Sequence, residues 1–212
     1  MKNSNDFGLY KLLIVLLMAI VSLLVYNDLP GLVPMHWGFD GRPDGFLSKL
    51  EHVIIFPLFA LGISALFSFL PRLDAKKENY EKIGGIWEFI QFSILIFFCF
   101  TYIVSLLYVL IPYSGIGKVM LVGAGLFLII IGNYIGQLKK SHFLGIKLPW
   151  NSSDEKNLTK INIFTGKMFL IAGILSILNG FLLFKNILIF GLVISFVLMI
   201  PIFYACMLYR KK

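Results

Sequence analysis

Six stretches of this chain, at about 12–26, 53–70, 89–111, 119–135, 168–184 and 187–209, contain no Asp, Glu, Lys or Arg at all. That pattern narrows the fold more than any other feature. A helix needs roughly 20 largely apolar residues to cross a bilayer, and hydrocarbon offers no partner for an open backbone N–H or C=O. Apolar runs of this length must therefore satisfy their own backbone, as helices. A mean hydropathy of +0.87, with 58% hydrophobic and 14% charged residues, lies far from soluble domains, where about a quarter of residues are charged. The expected fold is an all-α integral membrane protein with six transmembrane helices in a single polytopic domain.

The net charge of +8 would point to nucleic acid in a soluble protein, but in a polytopic chain it first reports topology. With the N-terminus inside, the cytoplasmic segments hold Lys2 and Lys11, four residues from Arg72 to Lys82, six lysines from Lys139 to Lys167, and Arg210 to Lys212. The outer segments hold only Arg42, Lys49, Lys118 and Lys185, so fifteen of the 19 basic residues lie on one side. Both termini are expected in the cytoplasm, with an ordered external loop at 29–51 and a cytoplasmic loop at 137–162. The first run ends in Asn27-Asp28-Leu29-Pro30 without a small-x-small cleavage site, which favours an uncleaved helix. The bilayer is the first partner, and direct nucleic-acid binding is not expected.

Small residues recur every fourth position in two runs, at Gly132 and Gly136 and at Ala172, Ser176 and Gly180. This spacing lets membrane helices approach closely, either within the bundle, the favoured reading, or across a homodimer. Cys99 and Cys206 fall inside apolar runs and behave as small hydrophobes.

Enzyme chemistry finds little support. Zinc hydrolases of the membrane pair two histidines one helical turn apart with a glutamate. His36, His52 and His142 do not have that spacing, so no metal or other cofactor is expected. No G-x-S-x-G turn occurs, and the candidate bases fall in loops. Gln91, Asn133 and Asn179 are the main strong hydrogen-bonding groups in the apolar body, read as interhelical contacts ahead of substrate contacts. A small transporter or export accessory protein is the alternative function, and it would need a polar route around those three.

Two segments outside the hydrocarbon carry the remaining information. The external loop gathers His36, Trp37, Asp40, Arg42, Asp44 and Lys49 among Pro30, Pro34, Pro43 and three glycines. The prolines predict an irregular backbone ordered by its aromatics. These side chains suit recognition of a peptide or small ligand, and equally a self-paired loop with its aromatics at the headgroup belt. In the cytoplasmic loop, Lys139, Lys140, Lys147, Pro149, Trp150, Asp154 and Glu155 are candidates for docking a soluble partner. Ser152 and Glu155 fit a capping box, which predicts a helix from about Ser153 into the fifth span. The other reading is an interfacial helix held at the anionic leaflet by Lys156 and Lys160.

The two segments resemble one family. Leu29-Pro30, Val33-Pro34-Met35-His36-Trp37, Gly41-Arg42-Pro43-Asp44 and Ser48-Lys49 resemble the loop after the first helix of SdpI-type membrane proteins. Gly132-Asn133, Gly145-Ile146-Lys147-Leu148-Pro149-Trp150 and Ser153-Asp154-Glu155 resemble that family's cytoplasmic segment. Lys147-Leu148 stands where the family usually shows Arg-Thr, and Leu158 where tryptophan is common; lysine cannot reproduce the planar fork of arginine. The resemblance implies a non-enzymatic immunity protein of the bacterial plasma membrane that protects its producer from a secreted peptide toxin. In the founding member it also implies signal transduction, in which the toxin-occupied protein holds a cytoplasmic transcriptional repressor at the membrane.

Overall fold

The computed structural model describes residues 4–73, 84–111, 115–138, 155–182 and 187–210. Six helices account for most of them: α1 (Ser4–Val25), α2 (Lys49–Leu73), α3 (Gly84–Leu110), α4 (Ile116–Ile135), α5 (Glu155–Leu182) and α6 (Ile187–Arg210). Each contains a segment long and apolar enough to cross a membrane. Most of them extend beyond the charge-free runs, because a helix continues through polar turns that hydropathy excludes. The helix expected to enter the fifth span is continuous with it. At 1.5 Å per residue, the 28 residues of α5 extend about 42 Å, against a hydrocarbon thickness of roughly 30 Å. The capping residue Ser152 lies outside the described residues.

The loop between α1 and α2 corrects the expectation of an irregular backbone. It forms an antiparallel hairpin of β1 (Leu32–Trp37) and β2 (Pro43–Ser48). The prolines are compatible with this because Pro34 and Pro43 sit in a two-stranded sheet, where each strand has an edge that needs no donor. Register shifts on either side of His36 leave Met35 and Asp44 as extra residues. Such bulges bend a strand and re-aim its side chains. The hairpin closes through Gly38 N–H to Arg42 O (2.9 Å) and Gly41 N–H to Gly38 O (3.0 Å). Gly41 has φ +71°, the left-handed conformation that favours glycine.

A second finding lies in Ser48-Lys49-Leu50-Glu51, a capping box at the start of α2. Ser48 N–H donates to Glu51 Oε2 (2.9 Å), and Glu51 N–H donates to Ser48 Oγ (3.3 Å). The strand thus passes into the helix without a linker.

The bundle packs as two sets. In the first, α1, α2 and α3 bury Val15, Met18, Phe56, Leu95 and Tyr102 together with Leu29 and Val33 from the hairpin side. In the second, α4 and α5 meet along glycines. A Cβ on Gly125 would lie 2.6 Å from Gly173 O, one on Gly173 2.6 Å from Gly125 O, and one on Gly166 2.4 Å from Gly132 O. Here the backbones themselves are in contact. Gly132 and Gly180, flagged by the four-residue spacing, are spent on packing within the bundle, as is Ala172 at 0% exposure. Ser176 Oγ completes the seam by donating to Leu121 O at 2.9 Å.

Candidate functional site

The hairpin is fastened to one end of the bundle at several points, each traceable to a particular residue. Val33, on its inner face, is fully buried against α1, α2 and α3. The turn meets α4 backbone to backbone, where a Cβ on Gly117 would lie 1.8 Å from Gly41 O. Asn179 Nδ2 of α5 donates to Phe39 O at 2.7 Å. The Phe39 ring meets Phe190 of α6 edge-on, with centroids 6.2 Å apart, and lies over Gly191. Lys49 sits with Nζ 4.7 Å above the Tyr26 ring, tying the hairpin's end to the end of α1 by a cation–π contact.

Of the candidates between α1 and α2, His36, Asp40, Arg42 and Asp44 are brought together on the exposed side of the hairpin. His36 Nδ1 lies 2.5 Å from Asp44 Oδ1, a contact made by the bulge at Asp44. Asp40 Oδ1 accepts from Arg42 N–H at 3.0 Å, closing the turn on itself, while the Arg42 side chain stays exposed. Leu32 (62% exposed) and Phe46 (49%) add apolar area on the same strands. Trp37 does not join them. It is buried at 8% exposure, packed with Val104 and Ile116, and no partner for its Nε1 is found among the described residues.

Beneath the hairpin lies a cavity of about 620 Å³, within the range of ligand sites. Met35 to Phe39 roof it, and α2, α3, α4, α5 and α6 wall it largely with aromatic and aliphatic side chains. Of the three hydroxyls on its wall, Thr101 donates to Phe98 O (2.8 Å) and Ser176 to Leu121 O (2.9 Å), and the third belongs to Ser195 of α6.

A second polar cluster was not expected. His52, anticipated among loop bases, is fully buried in the first turns of α2. Ser105 Oγ donates its only proton to Tyr102 O (2.6 Å), so it accepts from His52 Nε2–H (2.7 Å). That fixes the tautomer. Tyr102 stacks on His52 with centroids 5.5 Å apart and contacts Ser22 Oγ at 2.7 Å. The start of α2 at Lys49, set by the Ser48–Glu51 box, was the sequence signal that places His52 inside the helix.

Gln91, Asn133 and Asn179 do not converge. Gln91 Oε1 accepts from Lys11 Nζ at 2.5 Å, at the bundle end opposite the hairpin. Asn133 is exposed, and Asn179 serves the hairpin. Asn162, absent from that group, is fully buried and donates through Nδ2 to Leu138 O at 3.1 Å, just beyond the end of α4. Lys139, Lys140, Lys147, Pro149, Trp150 and Asp154 lie outside the described residues, and of Glu155 only the helical backbone is described. Among the described residues, no three His, Cys, Asp or Glu side chains form a group able to hold a metal ion.

A bundle of six apolar helices capped at one end by a fastened hairpin defines a multi-pass membrane protein. Residues 137–205 match the SdpI/YfhL protein family, and residues 13–61 match a domain of unknown function, DUF1648. The chain is 25% identical over 176 residues, 82% of either chain, to the Immunity protein SdpI of Bacillus subtilis (strain 168). It is accordingly a homologue of the SdpI-family immunity proteins, a family not known as enzymatic. No solved structure matches it. The two matched segments touch each other in space, through Phe39 on one and Asn179, Phe190 and Gly191 on the other.

Proposed function

We propose that this chain is a non-enzymatic immunity protein of the bacterial plasma membrane, conferring resistance to a secreted antimicrobial peptide. In this reading both termini are cytoplasmic and the hairpin faces outward, the orientation favoured by fifteen of 19 basic residues on one side. The observation that carries the reading is the fastened hairpin. A platform already ordered loses little conformational entropy on binding, and this one offers His36, Asp40, Arg42 and Asp44 beside Leu32 and Phe46. That mixture suits an amphipathic peptide. Trp37 and Lys49 act from beneath, holding the platform in shape.

A signalling role has its own support. The single helix α5 bonds the hairpin through Asn179 at one end and Leu138, where the cytoplasmic loop departs, through Asn162 near the other. A peptide that displaced the hairpin would act on a rod reaching the loop, whose Lys139, Lys140, Lys147, Pro149, Trp150, Asp154 and Glu155 would dock a transcriptional repressor. A ligand shifts such an equilibrium only by its differential affinity for the two states. The transporter alternative is less favoured, because the cavity is apolar and Gln91, Asn133 and Asn179 do not line it.

The test is survival of a sensitive bacterial strain challenged with SDP-type peptide, with and without this protein in its membrane. Protection is expected from the wild type and should fall in Asp40→Ala/Asp44→Ala at equal membrane abundance. Abundant wild-type protein that gives no protection would refute immunity to SDP-type peptide and leave a different toxin or the transporter reading as the next candidates.

A further inference from the structure

The cavity beneath the hairpin shares a residue with the recognition surface above it. His36 lines the cavity, yet its side chain is 67% exposed and pairs with Asp44 through Nδ1. Met35 and Phe39, also in the roof, are exposed beside it. Ile55 and Phe59 of α2 and Ser195 of α6 line the walls and are exposed as well, so the cavity opens towards the bilayer and towards the hairpin. Apart from the buried indole of Trp37, four polar side chains belong to the lining. Thr101 and Ser176 have spent their protons on backbone carbonyls. The other two are His36 at the roof and Ser195, which lies about 12 Å along α6 from its first residue, Ile187.

Size and charge choose the occupant. A helix about 10–12 Å across fills roughly 500 Å³ per turn, so a cavity of about 620 Å³ cannot enclose a spanning helix. It can take the apolar side chains of one helix face, the anchors at i, i+3, i+4 and i+7 that fill a hydrophobic groove. A helix also satisfies its own backbone, as apolar walls require. At the mouth, Asp40 and Asp44 outnumber Arg42, and the lining carries no Lys or Arg. A cationic side chain is complementary there, whereas a phospholipid would bring its phosphate against two carboxylates. An acyl chain would also offer nothing to the hydroxyl of Ser195, where a helix can present a polar side chain. From a cavity that shares His36 with the recognition surface, we infer that the peptide binds as an amphipathic helix, its apolar face in the cavity and a cationic residue at Asp40 and Asp44.

This inference rests on the immunity reading and supplies the binding site that the reading needs. The charges of the platform steer and orient the peptide, while burial of its apolar face supplies the larger part of the affinity. Phe39 and Phe190, whose edge-on contact joins the hairpin to α6, both line the cavity. A seated helix therefore bears directly on the hairpin's fastening.

Full-length protein in lipid nanodiscs would be titrated with fluorescently labelled SDP-type peptide and read by anisotropy. Ala124→Phe, which fills the cavity from α4, should weaken binding about tenfold or more and abolish protection in cells. Leu126→Phe, on the same helix but exposed and outside the lining, should change neither. A second measurement leaves the cavity open: p-benzoylphenylalanine in place of Phe59 should photocrosslink the peptide, and the same probe in place of Leu126 should not. Suppose the wild type protects cells while an Ala124→Phe form that melts like it binds the peptide equally tightly; the inference is then overturned and the immunity reading stands. Capture of phospholipid and no peptide by the Phe59 probe, at saturating peptide, would overturn it in favour of a resident lipid. Wild-type protein that neither binds the peptide nor protects would remove both readings for this peptide.

Discussion

Gly117→Ala is the sharpest test of how the hairpin is held. The added Cβ would lie 1.8 Å from Gly41 O and 2.7 Å from Gly41 C, whereas real Cβ contacts essentially never fall below 3.0 Å. Backbone must then separate from backbone by at least 1.2 Å (3.0 minus 1.8), with no flexible side chain able to give way. Two residues away, the 2.7 Å bond from Asn179 to Phe39 O would stretch towards breaking. Overpacking of this kind costs about 1–3 kcal/mol, and the lost hydrogen bond adds about 1 kcal/mol, for a total of about 2–4 kcal/mol. The protein should melt earlier in detergent, and hydrogen exchange across residues 29–51 should accelerate while the helix interiors stay protected. Gly41→Ala strains the same joint from the other side, adding about 1–2 kcal/mol for a left-handed alanine. The two together should cost less than their sum, since one displacement relieves both. Gly62→Ala is the control, because nothing lies within 4 Å of its new methyl and alanine favours the helix by up to about 1 kcal/mol. A Gly117→Ala protein with wild-type melting and unchanged exchange would refute this account of the seating.

Three other outcomes follow from the same geometry. Asn179→Leu removes the donor to Phe39 O and should cost about 1–2 kcal/mol, seen as faster exchange in the hairpin alone; faster exchange spread over α4 and α5 would mean that Asn179 supports the seam instead. Gly173→Val places atoms beyond a Cβ already 2.6 Å from Gly125 O, so the α4–α5 seam should open at about 3 kcal/mol or more, read as lower membrane abundance and an earlier melt. His52→Phe keeps a ring against Tyr102 and leaves Ser105 bonded to Tyr102 O, so the melt should reflect only about 1 kcal/mol. His52→Ala leaves a void instead and should cost about 3 kcal/mol.

Much of the architecture was legible without coordinates because the bilayer imposes so simple a rule. Charge-free runs must be helices, so the number of apolar helices followed from counting, and the family resemblance rested on motifs that stand in the chain as text. The positions of α4 and α5 relative to each other were half legible. Glycine every fourth residue announces close approach, but only the packed pair shows that Gly125 meets Gly173 and Gly132 meets Gly166. The hairpin was misread because prolines and glycines in a loop argue against a ladder, while a two-stranded sheet tolerates them at its edges. The capping box at Ser48 and Glu51 is as legible in the sequence as the one at Ser152, and it starts α2 directly from the strand.

What the sequence determined by itself was therefore the class of element and the environment, both set by local composition acting through the cost of an unpaired backbone group in hydrocarbon. What only the tertiary structure decided was which distant residues meet. Trp37, read as part of an exposed surface, turned inward. Asn179, read as glue between helices, became the bond that holds the hairpin, and His52 left the loop for the core. The first two outcomes depend on the bulges at Met35 and Asp44 and on the glycine contact between the turn and α4, whereas the helical start that carries His52 inward is local to Ser48 and Glu51. The contacts of Trp37 and Asn179 are long-range, between residues some 140 positions apart in the case of Phe39 and Asn179, and no local pattern encodes them.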